Sequence, residues 1–179
     1  MKIPLTALAD RPVEMDSVEE AATLDLVADG VEFLDDVDVL VTLTRMGEDV
    51  LAQGTAVTRV RQNCSRCLEP VDTEIAGDFQ SLYVPTTGSY GKRMDRKDFE
   101  WSDQRVIFYT SDTIDLSDDI RNCLLFELPK KPLCRKDCAG LCPGCGANLN
   151  ETTCTCEVPA EDDPWAALRA IVQPPDPPE

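Results

Sequence analysis

The sequence predicts an α+β fold: a mostly antiparallel β-sheet, one main helix, and a cysteine-rich segment near the C-terminus. Three observations carry this. Val- and Thr-rich stretches alternate with period two from Val37 onward, the signature of half-buried strands. One stretch near 116–128 switches to helical spacing. Six cysteines then crowd into the 24 residues from Leu133 to Cys156.

In chain order, residues 1–35 read as strand and loop with one helical turn. "VDVLVTLTRMGEDVLAQGTAVTRVRQN" reads as two strands joined at "RMGED", and "VDTEIAGDFQSLYVP" as a third. Together they suggest an antiparallel meander with one wet face. "TTGSYGKRMDRKDFEWSD", from Thr86 to Asp103, is a Gly- and charge-rich loop, and "QRVIFYT" a further short strand. In "DLSDDIRNCLLFELP", Ser117 is placed as the helix cap, with Asp118 and Asp119 in the first turn, where negative charge suits the helix dipole. Ile120, Leu124 and Leu128 form one face with Cys123 beside it, and Pro129 stops the helix. "EDDPWAALRAIV" reads as a short amphipathic helix and "QPPDPPE" as a disordered tail. The expected division is a β-rich domain over 1–129, a Cys-rich segment over 130–158 docked on it, and helix plus tail over 159–179.

Composition narrows the chemistry. The chain has 179 residues, 42% of them hydrophobic, enough for one medium domain. No apolar run is long enough to span a membrane, and the N-terminus lacks the apolar core of a signal peptide, so a cytoplasmic protein is expected. It has no histidine, which removes Ser-His-Asp and Cys-His catalysis and every His-containing metal site. It has nine cysteines, and in a reducing compartment these bind metal more readily than they form disulfides.

Spacing sorts eight of the nine into pairs: Cys64 and Cys67, Cys134 and Cys138, Cys142 and Cys145, Cys154 and Cys156. A tight turn aims both sulfurs of a pair at one ion and frees backbone N–H groups for the thiolates. Four pairs serve two tetrahedral zinc ions. The favoured grouping makes one local site from Cys142, Cys145, Cys154 and Cys156. The other joins Cys134 and Cys138 to the distant Cys64 and Cys67, clipping the C-terminal segment to the sheet. The rival grouping puts Cys134 and Cys138 with Cys142 and Cys145, leaving Cys64 and Cys67 with Cys154 and Cys156. Cys123 reads as a small buried hydrophobe. Closed four-thiolate sites are structural, so no enzyme is expected. The rival class is a thiol-redox or metal-dependent enzyme. Against it, "CSRCLEP" runs straight into Pro70, where a redox pair would open a helix.

The net charge is −17, which disfavours nonspecific binding to a phosphate backbone. Under the favoured grouping, however, Arg59, Arg61, Arg66, Lys130, Lys131, Arg135 and Lys136 gather with only Asp137 against them, a local +6 with −23 on the remainder. A basic knuckle of this kind suits contact with RNA or with another partner. The acidic remainder suits a basic protein, and Asp35, Asp36 and Asp38 crowd a strand edge. No small-molecule substrate and no membrane are expected.

Three stretches together resemble a known family: "CSRCLEP" after two strands, "LPKKPLCRKDCAGLCPGCGANLN" after a helix, and "CTC" followed by "DPWAAL". The family is the YceD-like proteins, also called large ribosomal RNA subunit accumulation proteins, and the resemblance covers about residues 37–172. It implies a cytoplasmic bacterial or plastid factor, non-enzymatic, that supports accumulation of large-subunit ribosomal RNA. The implied partner is the pre-ribosomal large subunit, through its RNA or a basic ribosomal protein.

Overall fold

The computed structural model describes residues 1–9, 11–86 and 105–156. Its strands are β1 (Lys2–Pro4), β2 (Val13–Glu19), β3 (Val31–Phe33), β4 (Val37–Met46), β5 (Asp49–Asn63), β6 (Pro70–Pro85), β7 (Arg105–Tyr109) and β8 (Thr113–Asp115). Among the described residues, a single 3₁₀ turn, Leu5–Ala7, follows β1, and one α-helix, α1 (Ser117–Phe126), follows β8. The expected loop from Thr86 to Asp103 lies, after its first residue, outside the described residues, as do the expected helix at Pro164 and the tail. Among the described residues, no helix is long and apolar enough to cross a membrane.

The main sheet runs β2-β4-β5-β6-β7, with β3 pairing the far end of β5. Its spine is the hairpin of β5 and β6, paired from Val50 opposite Tyr83 to Asn63 opposite Pro70. Strict alternation sends Val37, Val39, Val41 and Leu43 of β4 to one face with Val50, Ala52, Ala56 and Val60 of β5 and Ile75, Phe79 and Tyr83 of β6. Each of the valine, leucine, isoleucine and phenylalanine side chains taken fully out of water contributes about 1.5–3 kcal/mol.

The expected meander is β4, β5 and β6, each antiparallel to the next, while the further short strand, β7, lies parallel to β6, Leu82 opposite Val106. Period two is the same for either direction. A parallel neighbour needs a crossover of about a dozen residues or more, which the stretch between Pro85 and Arg105 has length to supply. Meanwhile β8 pairs β1 in a separate ribbon whose Ile3 and Ile114 enter the same core.

α1 lies on the buried face through Ile120, Cys123 and Leu124. It sits so close that a Cβ at Gly77 of β6 would stand 2.7 Å from the backbone of Cys123, so only glycine fits there. The expected cap is also corrected. Leu116 holds the cap position, because its fully buried side chain anchors the turn, and Ser117 is drawn into the first turn. The carboxylate of Asp115 instead accepts the N–H of Ser117 at 3.0 Å and its hydroxyl at 2.6 Å. The helix ends at Phe126, short of the expected 128, though Leu128 still packs on the core.

Asp119 stands in the first turn, as expected, and is 2% exposed. It accepts the hydroxyls of Ser81, at 2.8 Å, and Tyr83, and meets the guanidinium of Arg105 at 3.0 Å. The helix is thereby keyed to β6 and β7. Burial, then the Asp119 carboxylate, pushes the Tyr83 phenol well above its ordinary range.

Candidate metal centres

The turn between β5 and β6 carries the first cysteine pair. The N–H of Cys64 meets the carbonyl of Glu69 at 2.8 Å, and the N–H of Leu68 closes on the carbonyl of Cys64 at 3.0 Å. Past α1 the chain returns along this hairpin. The Ser65 N–H donates to Pro132 at 2.8 Å, and Gln62 reaches the carbonyl of Pro129 at 3.4 Å. Cys134 and Cys138 are thus delivered to the hairpin tip.

The four sulfurs of Cys64, Cys67, Cys134 and Cys138 all lie within 4.8 Å of one another, with Cys64 and Cys138 3.8 Å apart and Cys67 and Cys134 3.6 Å apart. A tetrahedron of thiolates with metal–sulfur arms of about 2.3 Å has edges of about 3.8 Å. A disulfide would need about 2.05 Å, and all nine cysteines are free thiols. Cys64, Cys67 and Cys138 are buried, with Val71, Leu133 and Leu141 packed around them.

The second set, Cys142, Cys145, Cys154 and Cys156, satisfies the same 4.8 Å limit, with Cys145 and Cys142 each 3.4 Å from Cys154. It is more open: Cys142 is buried, but Cys145 and Cys156 are exposed. A short ribbon holds it, with the Cys142 N–H on Ala147 at 2.8 Å and an isolated bridge between Leu141 and Asn148. Of the two groupings the sequence left open, these distances fit the local-plus-long-range one. Both four-cysteine groups can hold a metal ion.

The two Cys-x-x-Cys turns are built alike. In the second, the Gly146 N–H closes on the carbonyl of Cys142 at 2.8 Å, with Gly146 at φ 74. In the first, Leu68 takes that place at φ 64, a left-handed conformation that leucine rarely adopts. Nothing in "CSRCL" signals it, because it lacks the glycine that flags the turn in "CPGCG".

One residue missed by spacing alone joins the sets. Asn150 rides on the second ribbon, yet its side-chain NH₂ lies 3.3 Å from the sulfur of Cys138. Its carbonyl oxygen accepts the Ala139 N–H at 2.8 Å and Arg135 at 2.6 Å. The Leu141 N–H on the carbonyl of Arg66, 3.1 Å, ties the ribbon to the hairpin again.

Proton affinities follow from the donors. The N–H of Cys67, aided by those of Arg66 and Cys134, holds the Cys64 thiol down at about 6. The N–H groups of Cys145 and Gly144 hold Cys142 at about 7. Burial raises Cys138, but Asn150 and the Gly140 N–H outweigh it and keep it below the usual thiol range. Cys134 is pushed up to about 12 by desolvation and then by the neighbouring thiols, and Cys156 to about 12 by Cys154 and Cys145. Each set thus offers a ready thiolate beside thiols that hold their protons until a cation arrives, so metal uptake releases protons. Cys123 stands apart, its thiol donating to the Ile120 carbonyl at 3.1 Å and pushed up by burial to about 11.

The basic cluster is revised. Arg59 forks onto Asp35 at 2.6 and 3.2 Å, and Arg61 onto Asp72 at 2.6 and 2.8 Å with Glu32 at 4.0 Å. The acids come from neighbouring strands and loops that the register brings alongside β5, so the local +6 does not form. Arg66 is exposed but donates to the carbonyl of Cys138 at 2.7 Å. Lys130, Lys131, Arg135 and Lys136 remain exposed along the returning chain, with Asp137 3.8 Å from Arg135.

Residues 52–172, which include all eight clustered cysteines, match the family model described as large ribosomal RNA subunit accumulation protein YceD. The chain belongs to the YceD family. Its relatives include an uncharacterized protein of Mycobacterium tuberculosis, 32% identical over 83% of this chain and 70% of the relative. The chloroplastic large ribosomal RNA subunit accumulation protein YCED homolog 1 of Zea mays is 32% identical over 66% of this chain and 48% of its own length. Its Arabidopsis thaliana namesake is 26% identical over 74% of this chain and 47% of its own length. This YceD-family chain matches no solved structure.

Proposed function

We propose that this chain is a non-enzymatic, zinc-stapled factor that supports accumulation of large-subunit ribosomal RNA by associating with the pre-ribosomal large subunit. The observation that carries the reading is the family match over a stretch holding two closed four-cysteine sets. The donors fit zinc: four sulfurs per set, spaced near tetrahedral edges, with backbone N–H groups and Asn150 spreading the thiolate charge. Four protein ligands leave no open position for a substrate, and no histidine exists to serve as a base. Zinc would cross-link the β5–β6 hairpin to the segment after α1. Thiolate sites of this kind persist in a reducing compartment, which supports a cytoplasmic place of action. Contact with RNA or a partner falls to Lys130, Lys131, Arg135 and Lys136, carried on the stapled segment, while Arg59 and Arg61 serve the sheet and Arg66 the first cysteine set.

Depleting the protein in its source organism is expected to lower the ratio of large- to small-subunit ribosomal RNA, measured on total RNA. The wild-type gene should restore the ratio, and a chain carrying Lys130→Gln, Lys131→Gln and Lys136→Gln should restore it only in part. An unchanged ratio after depletion contradicts the function. Full rescue by the triple variant removes the lysines from the contact.

A further inference from the structure

The outer face of the main sheet is not uniformly polar. Register sets Val18, Asp38 and Val57 side by side in one row and Asp16, Leu40 and Thr55 in the next. The result is a checkerboard of apolar and acidic side chains across β2, β4 and β5. Val18 is 66% and Leu40 50% exposed. They line a shallow groove of about 440 Å³ flanked by Asp16 and Asp38.

The carboxylates of this face fall into two states, and in the groove unpaired acids stand beside exposed apolar side chains. Asp35 and Asp72 are each neutralised by a bidentate arginine, and Asp78 takes the hydroxyl of Thr55 at 2.6 Å. Asp16 and Asp38 have no ion pair among the described residues. Two unneutralised acids beside exposed apolar side chains can satisfy cations only if something brings them.

We infer that this groove docks a lysine- or arginine-rich segment of another protein, with cations on Asp16 and Asp38 and an apolar side chain between Val18, Leu40 and Val57. Charge complementarity selects this occupant. Nucleic acid would set phosphates against the two carboxylates. A second copy packed face to face would bring Asp16 and Asp38 near their own equivalents, on chains that each carry −17. The inference rests on the proposed function in one respect: an assembling ribosomal subunit supplies basic proteins.

Fluorescence anisotropy on the full chain tests it, with a short labelled peptide of lysines interrupted by leucines as the probe. The pair Asp16→Asn and Asp38→Asn is expected to weaken binding about tenfold, a loss of about 1.4 kcal/mol. Leu40→Ser is expected to act similarly, with Val18→Ser as the alternative should that variant melt early. The distant pair Asp29→Asn and Asp112→Asn, equal in charge change, should stay within about twofold of wild type. Equal weakening by both pairs overturns the groove in favour of bulk charge attraction. So does equal binding of a peptide with serine in place of leucine, or tighter binding of labelled oligouridine. The readout does not involve ribosomal RNA levels, so its failure leaves the proposed function standing, and the converse holds.

Discussion

Replacing Cys64 by serine is expected to release the first zinc ion and free the segment from Pro129 to Leu141, while the second set keeps its metal. Cys64 is the fully buried member of the set, and its ready thiolate is the one the turn's N–H groups are aimed at. An ion held there would tie residues 67 apart in sequence, such as Cys67 and Cys134. Closing a loop of that length by a cross-link contributes about 4 kcal/mol in the chain-entropy account. The variant should therefore unfold at clearly lower denaturant, and amide exchange should accelerate over 129–141 before it does in β4 or β5. Asn150→Ala is the milder form of the same experiment. It leaves all four ligands and removes the NH₂ beside Cys138 together with the oxygen that accepts Ala139 and Arg135, a change of about tenfold in metal affinity by analogy with other outer-shell partners. Unchanged exchange over 129–141 in Cys64→Ser would mean that the segment is held by packing alone.

Asp119→Ala is expected to destabilise the fold by about 3 kcal/mol, at the low end for breaking a buried ion pair. Arg105 is half exposed and can rehydrate, but the hydroxyls of Ser81 and Tyr83 lose a buried acceptor. For a chain of this size the loss is on the order of 10 °C in Tm, read by circular dichroism. Tyr83→Phe should cost less, about 1 kcal/mol, since it removes one partner and leaves the carboxylate with Ser81 and Arg105. The network also sets an alkaline limit. With Tyr83 raised above an ordinary phenol, the folded state keeps a proton that the unfolded chain gives up near pH 10. Stability from this group is therefore full below about pH 10 and falls as pH rises beyond it. Phenolate absorbance should accordingly show Tyr83 ionising only together with unfolding, and Tyr83→Phe should flatten that alkaline decline. A Tyr83 that titrates at its ordinary value in the folded chain would contradict the network.

The long strands were legible because one face of the sheet is wet, and a wet face writes period two into Val37–Met46 and Pro70–Pro85. The grouping of cysteines was legible for a related reason: a pair two or three residues apart can face one ion, and eight thiols make two sets. What failed to show depends on register, which spacing does not encode. Arg59 and Arg61 looked free because Asp35, Glu32 and Asp72 are distant in sequence and adjacent only once the strands pair. Asp119 and Asp118 read alike as first-turn acids because nothing in "LSDDI" says which of the two faces Ser81 and Tyr83. Leu68 was hidden by its own identity, since a leucine does not announce a left-handed turn.

The central claim is that two closed four-thiolate sites each hold one zinc ion. Native mass spectrometry of the protein, purified under reducing conditions without added metal, tests it most directly. The account predicts a mass increment of two zinc ions per chain, falling to one in Cys64→Ser and to one in Cys154→Ser, with Cys123→Ala unchanged at two. A chain that carries no zinc, or loses both ions from either single variant, or loses one with Cys123→Ala, would contradict it.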